Sequence, residues 1–155
     1  MALRTAQPRT ALRRNNHKDF RAIVALDIDG TLVRPDHVLA ILLEADRQCI
    51  GVVYNTSRLS AWAMDGMPAR LGIHPEDVYS RCALSKTRSK IRNLRRIGIR
   101  FGVHPTRICL VDNSKRNVSA VRKAGFRGVI VHDTSDGAGL AHLDKAMRAM
   151  RVARQ

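Results

Sequence analysis

The stretch that decides the fold is AIVALDIDGTL, residues 22–32. AIVALDI (22–28) is a short apolar run with a carboxylate near its end, and the Asp29-Gly30 that follows stops it. Such a run, rich in Ile, Val and Leu and closed by a turn dipeptide, reads as a strand buried on both faces. The same alternation continues outward. His37 to Gln48 carries Val38, Leu39, Ile41, Leu42 and Leu43 and reads as a helix with a wide apolar face, and IGVVYN (50–55) as a second strand. Leu59 to Leu71 reads as a second helix, weakened by Gly66 and Pro68. DVYSR (77–81) is a short strand, Lys86 to Phe101 a basic helix, and RICLVD (107–112) a strand. Val118 to Ala124 sits in a helix, RGVIVHD (127–133) is a strand, and Leu140 to Val152 a last helix. Strands alternating with helices predict an α/β fold: a mainly parallel sheet between two helical layers, Rossmann-like.

Residues 1–21 differ. They hold six basic residues and one acid, with little apolar periodicity, and read as a flexible basic tail before a domain spanning 22–155. An Arg-rich, nearly acid-free segment is also the composition of an organellar targeting peptide, though it lacks the Ser content; a secretory signal fails for want of an apolar core. The whole chain, at 155 residues, is long enough to bury a core without staples. No apolar run approaches the ~20 residues that span a bilayer, so a membrane-spanning helix is not expected.

Charge sets the chain apart. It has 22 Arg and 6 Lys against 13 acids, a formal +15, which favours a polyanionic partner such as nucleic acid. Three separated cysteines, Cys49, Cys82 and Cys109, offer neither a disulfide framework nor a CxxC zinc motif. Free thiols fit a reducing compartment, and the cytoplasm is the expectation.

In a parallel sheet, ligands sit beyond the carboxyl ends of the strands. Three strands here deliver polar groups to that edge: Asp27 and Asp29, then Thr56, Ser57 and Arg58, then Asp112 and Asn113. Carboxylates this close repel unless a cation lies between them, and a cluster of hard oxygens suits Mg2+. A carboxylate clamped in that way is a nucleophile toward phosphoryl groups, and a second one is suited to move protons for it.

The string DIDGTL (27–32), led by an apolar strand, resembles the first motif of the haloacid dehalogenase superfamily. VVYNTSR (52–58) resembles its second motif, a lysine in the helix before the fourth strand its third, and ICLVDNSKRN (108–117) its fourth. The resemblance covers residues 22–133 and implies roles residue by residue. Asp27 becomes the nucleophile and a metal ligand. Asp29 becomes the general acid/base, with its carbonyl on the metal. Gly30 belongs to the same loop. Thr56, or less favourably Ser57, bonds a phosphate oxygen, and Asp112 holds Mg2+. Asn113 and Asn117 stand where the family often carries a second acid. The family's lysine is Lys90 or Lys86: Lys90 shares the stripe of Leu94, Ile97 and Phe101, and Lys86 lies one turn earlier at nearly the same angle.

Members of this superfamily often carry a cap domain between the first two motifs or between the second and third. Asp27 to Thr56 is 29 positions and Thr56 to Lys90 is 34, too few for one. An open site admits a large substrate. A weaker resemblance, carried by NTSR (55–58), LGIHPEDVYSR (71–81) and KTRSKIRNL (86–94), is to the phosphatase domain of polynucleotide kinase/3′-phosphatases. It implies that Arg58 and Arg81 meet substrate phosphates. The function expected is therefore a Mg2+-dependent phosphomonoester hydrolase working through an aspartyl-phosphate, on nucleic-acid ends. The competing expectations are a phosphatase of a small metabolite or phosphoprotein, and a non-catalytic basic component of a ribonucleoprotein. Trp62 and Met64 are expected to serve packing.

Overall fold

The buried strand at residue 22 stands at the centre of a five-stranded sheet. In the computed structural model, which describes residues 20–82 and 84–155, the elements follow one another as β1 (Ala22–Leu26), α1 (Pro35–Arg47), β2 (Ile50–Leu59), α2 (Met67–Leu71), β3 (Val78–Arg81), α3 (Lys86–Phe101), β4 (Ile108–Asp112), α4 (Lys115–Lys123), β5 (Arg127–Ile130) and α5 (Leu140–Ala149). The strand order is β3-β2-β1-β4-β5, and every neighbouring pair is parallel. The order runs outward from β1 in one direction through β2 and β3, and in the other through β4 and β5. The crevice between β1 and β4 is therefore the switch point where such sheets bind ligands.

Alternation along β1 explains the layering. Ala22, Val24 and Leu26 face one side, with Val38 and Ile41 of α1 and Leu143 and Met147 of α5. Ile23 and Ala25 face the other, with Leu94, Ile97 and Phe101 of α3 and Val121 of α4. Each fully buried Leu or Ile contributes roughly 1.5–3 kcal/mol. The fold is thus the three-layer Rossmann-like α/β architecture expected.

Helix ends follow local chemistry. Ser85 caps α3 by accepting from the Arg88 amide, and Gly102, at φ 63°, closes it in the left-handed conformation that costs glycine least. Ser114 caps α4 through the Asn117 amide. The expected helix over 59–71 is corrected. Strand β2 runs on to Leu59, turns occupy 60–65, and only Met67–Leu71 is helical. Gly66, at φ 72°, cannot sit inside a right-handed helix, and Pro68 fits only near a helix start.

Residues 1–19, most of the segment read as a tail, lie outside the described residues. Phe20 and Arg21, its last two residues, are packed. Phe20 is buried, edge-on to Phe101 with ring centroids 6.0 Å apart, and the Arg21 guanidinium donates to the carbonyls of Gln48 and Ala153. Among the described residues no helix is long and apolar enough to cross a membrane.

Candidate active site

The parity that builds the core also aims the site. Asp27 follows Ile23 and Ala25 on the α3/α4 side of the sheet. Asn55 follows Val53 there, and Asp112 follows Ile108 and Leu110. Register places the three side by side, because Leu26 pairs with Tyr54 on β2 and with Val111 on β4. Side chains two apart on a strand point the same way, so Asn55, Asp27 and Asp112 form a polar row across three strand ends, all facing α3.

Lys90 meets that row. Its Nζ donates to Asp27 Oδ1 at 2.5 Å and to the Asn55 carbonyl at 2.5 Å, and lies 3.0 Å from Asp112 Oδ2. The side chain is wholly buried, and Asp27 is 4 % exposed. An unpaired ammonium at that depth would be very costly, so the two carboxylates and the carbonyl are what hold it there. The Lys90 carbonyl in turn accepts from Asn55 Nδ2, and Asn55 Oδ1 accepts from Asn93, one turn along α3. Thr31 donates its hydroxyl to Asp27 Oδ2. Burial pushes the Asp27 carboxyl up to about 6; Lys90 opposes that shift and Asp112 adds to it.

Asp29 stands past the strand end, where the turn re-aims it to the rim. Arg58 grips it, Nη2 to Oδ1 at 2.5 Å and Nε to Oδ2 at 2.9 Å, and Nη1 donates to the carbonyls of Asp65 and Trp62. Those bonds hold the Asp29 carboxyl below its ordinary range. Asp112 accepts from the Ser114 amide and from Asn117 Nδ2, while Asn117 Oδ1 accepts from Thr87. That last bond ties the first turn of α3 to the first turn of α4.

Asn113 closes the cluster. The end of its amide lies 3.2 Å from each of three oxygens: Asp27 Oδ2, the Asp29 carbonyl and Asp112 Oδ1. With nitrogen turned that way it donates to all three. With its oxygen turned that way, it faces three other oxygens at 3.2 Å with no proton between them. Gly30 makes the approach feasible: it is at φ 72°, and a Cβ there would fall 2.5 Å from the Asn113 amide. Among the described residues no three His, Cys, Asp or Glu side chains gather as a metal group. The donors are two carboxylates, one main-chain carbonyl and one amide oxygen. An all-oxygen set of this kind fits Mg2+ rather than a softer ion.

These groups line a cleft of about 370 Å3 that also takes in Ser57, Lys86 and Arg116. It lies between the N-termini of α3 and α4, where free backbone N–H groups favour an anion. Of the residues singled out in the sequence, Asp27, Asp29, Ser57, Lys86, Lys90, Asp112 and Asn113 are brought together here. Lys90 takes the centre and Lys86 the rim. Thr56, the preferred hydroxyl, does not line the cleft. It is buried and accepts from the Arg58 amide, because its parity on β2 is that of Tyr54, which faces the other layer. Arg58 binds Asp29, and Arg81, which is not among the residues lining the cleft, donates to the Leu84 carbonyl. Sequence reading missed Thr31, Asn55, Asn93, Thr87 and Arg116. The signal for Asn93 was present: it is polar, three residues after Lys90, on the same inward face of α3.

A scan of the chain against protein-family models finds no match, and comparison with curated proteins finds none.

Proposed function

We propose that the chain is a divalent-cation-dependent phosphomonoester hydrolase of the haloacid dehalogenase type, with Asp27 as its nucleophile. The observation that carries this reading is the row of Asn55, Asp27 and Asp112 across three strand ends, with Lys90 bonded to all three at the head of an open cleft. A scaffold gains nothing from two carboxylates buried around one lysine. A nucleophile needs that arrangement, because the charge must be present, oriented and shielded from water.

Asp27 and Asp112 carboxylates, the Asp29 carbonyl and Asn113 are the groups that would hold Mg2+. When bound it supplies positive charge to the phosphoryl oxygens and lets the two carboxylates stay ionised together. The residues do the rest. The helix N-termini of α3 and α4, Ser57 and Lys86 bind the phosphate. An Asp27 oxygen attacks phosphorus, the ester P–O bond breaks, and the leaving oxygen takes a proton from Asp29, which enters this step released by Arg58 and protonated. Water then attacks the aspartyl-phosphate while Asp29 takes back a proton, and inorganic phosphate leaves with Asp27 restored. Lys90 holds Asp27 in line and offsets charge throughout.

The test is hydrolysis of an aryl phosphate with and without Mg2+. Activity is expected only with the ion, and Asp27→Asn is expected to abolish it. A beryllofluoride adduct on Asp27, seen by fluorine NMR, would report the intermediate's site directly. Activity that survives Asp27→Asn would end the proposal.

A further inference from the structure

Charge on this molecule is divided by face. Between Val78 and His132 the sequence holds fourteen Lys and Arg and a single acid, Asp112, which is buried in the cleft. That stretch builds β3, α3, β4, α4 and β5, and α3 and α4 together cover one side of the sheet. Asp36, Glu44, Asp46 and Asp144 all belong to α1 and α5 on the opposite side. None of the ion pairs among the described residues includes an exposed Lys or Arg of α3 or α4. The result is a layer whose exposed cations have no ion-pair partner among the described residues.

The layer begins at the cleft. Lys86 and Arg116, at the first turns of α3 and α4, line it, and Arg88, Arg92 and Arg95 continue exposed along α3. A 16-residue helix is about 24 Å long, enough to follow several nucleotides. Trp62, 62 % exposed, stands in a loop whose carbonyls Arg58 bonds while it grips Asp29 of the cleft lining. Contrary to its expected packing role, its indole is open to solvent. An exposed indole beside an anion cleft is a platform for a base.

We propose that the α3/α4 face binds a single-stranded nucleic acid whose terminal phosphate enters the cleft. This rests on the hydrolase reading and names its substrate class. Charge complementarity favours a phosphodiester chain over a membrane. The apolar stripe of α3, Leu94, Ile97 and Phe101, is buried against the sheet, and Ile99 is the one large apolar side chain of α3 and α4 left exposed among the described residues, too little to anchor in a lipid surface. Guanidinium groups pair with phosphate oxygens through two parallel hydrogen bonds, and each contact releases a counterion.

The experiment is fluorescence anisotropy of a short labelled single strand with a terminal phosphate, on the Asp27→Asn chain so that the probe stays intact. Affinity is expected to fall roughly a hundredfold from about 50 to about 200 mM salt, as some five phosphate contacts imply. The triple change Arg88→Glu, Arg92→Glu, Arg95→Glu is expected to weaken binding at least about tenfold and to flatten the salt slope. The same three positions changed to Gln give a smaller loss and guard against misfolding of the Glu variant. Lys145→Glu with Arg148→Glu, on α5, leaves affinity unchanged. Trp62 is the only tryptophan in the chain, so stacking quenches the protein's own fluorescence. Binding that ignores salt and the α3 changes overturns the proposal, as does tighter binding of anionic phospholipid vesicles or of a phosphopeptide. A chain that binds the strand but cleaves no phosphomonoester refutes the hydrolase and leaves the face standing. One that cleaves aryl phosphate but does not bind the strand does the reverse.

Discussion

Arg58 holds Asp29 by both carboxylate oxygens, at 2.5 and 2.9 Å, so the end of β2 is tied to the loop after β1. The guanidinium keeps Asp29 ionised below its ordinary range. In the proposed mechanism Asp29 then starts as a carboxylate, ready to take a proton from water, and would give one to a leaving oxygen only when protonated and released by Arg58. Arg58→Ala is therefore expected to move the Asp29 carboxyl upward in a carbon-detected NMR titration, and to move the acid limb of kcat the same way. The pair's stability is present above the unfolded carboxyl value and lost as pH falls through the lower folded one. Because Asp29 is largely exposed, the loss is small, under about 1 kcal/mol. An unchanged Asp29 titration would mean the pair does not set it.

Asp27 titrates with the opposite sign. Its folded value, about 6, lies above the ordinary carboxyl value of 3.8, because burial disfavours the charge more than Lys90 favours it. Cation-free protein should thus lose stability as pH rises from about 4 to about 6, and level off above. Asp27→Asn should remove that slope and raise the cation-free stability at pH 7 by roughly 1–3 kcal/mol, a gain of a few degrees in Tm. Added Mg2+ should then stabilise the wild-type chain and not the variant. A variant that melts lower than wild type at pH 7 would show that Asp27 is structural rather than strained for a task.

Lys90 is the counterpart. Its ammonium ties three strand ends together with no exposure at all. Lys90→Met leaves Asp27 and Asp112 facing one another without a cation. Urea unfolding should show a loss of about 3–5 kcal/mol, part of it recovered in the double variant with Asp27→Asn. Lys86→Met, on the rim, should leave stability unchanged. Equal effects at the two positions would contradict the assignment of Lys90 to the centre.

What could be read from the sequence follows from which forces are local. Buried strands and capped helices are written in short windows, so α3 falls on the expected Lys86–Phe101 and the five strands fall within a few residues of their expected ends. The meeting of Asp27 and Asp112 at neighbouring strand ends was legible because each carboxylate closes an apolar run of its own. Thr56 was expected at the cleft and does not line it, because its chemistry was read without its parity: the residue beside it, Ser57, shares the facing of Asn55 and lines the cleft. The Arg58–Asp29 pair was illegible for a different reason. It joins residues 29 positions apart through a loop path that no window contains. The long helix expected over 59–71 failed where apolar residues suggested periodicity but Gly66 demanded a positive φ.

Asn113 sits where the proposed cation would be held. Its nitrogen satisfies Asp27 Oδ2, the Asp29 carbonyl and Asp112 Oδ1, each at 3.2 Å; in the proposed cation-bound state its oxygen would join them instead. Asn113→Asp would put a third carboxylate where a donor is needed. Cation-free protein should lose stability, while Mg2+ or Mn2+ affinity by titration calorimetry should rise about tenfold, a 1.4 kcal/mol gain from the added charge. Asn113→Ala should lower both quantities, because it removes donor and ligand together. Gly30→Ala should do the same from the other side. It forces a side chain into a positive φ and a Cβ to within 2.5 Å of the Asn113 amide, so it should displace the amide and cost about 1 kcal/mol or more. If calorimetry shows the same affinity for Asn113→Ala as for the wild-type chain, the amide is a spectator to cation binding, and the four oxygens do not form a common shell.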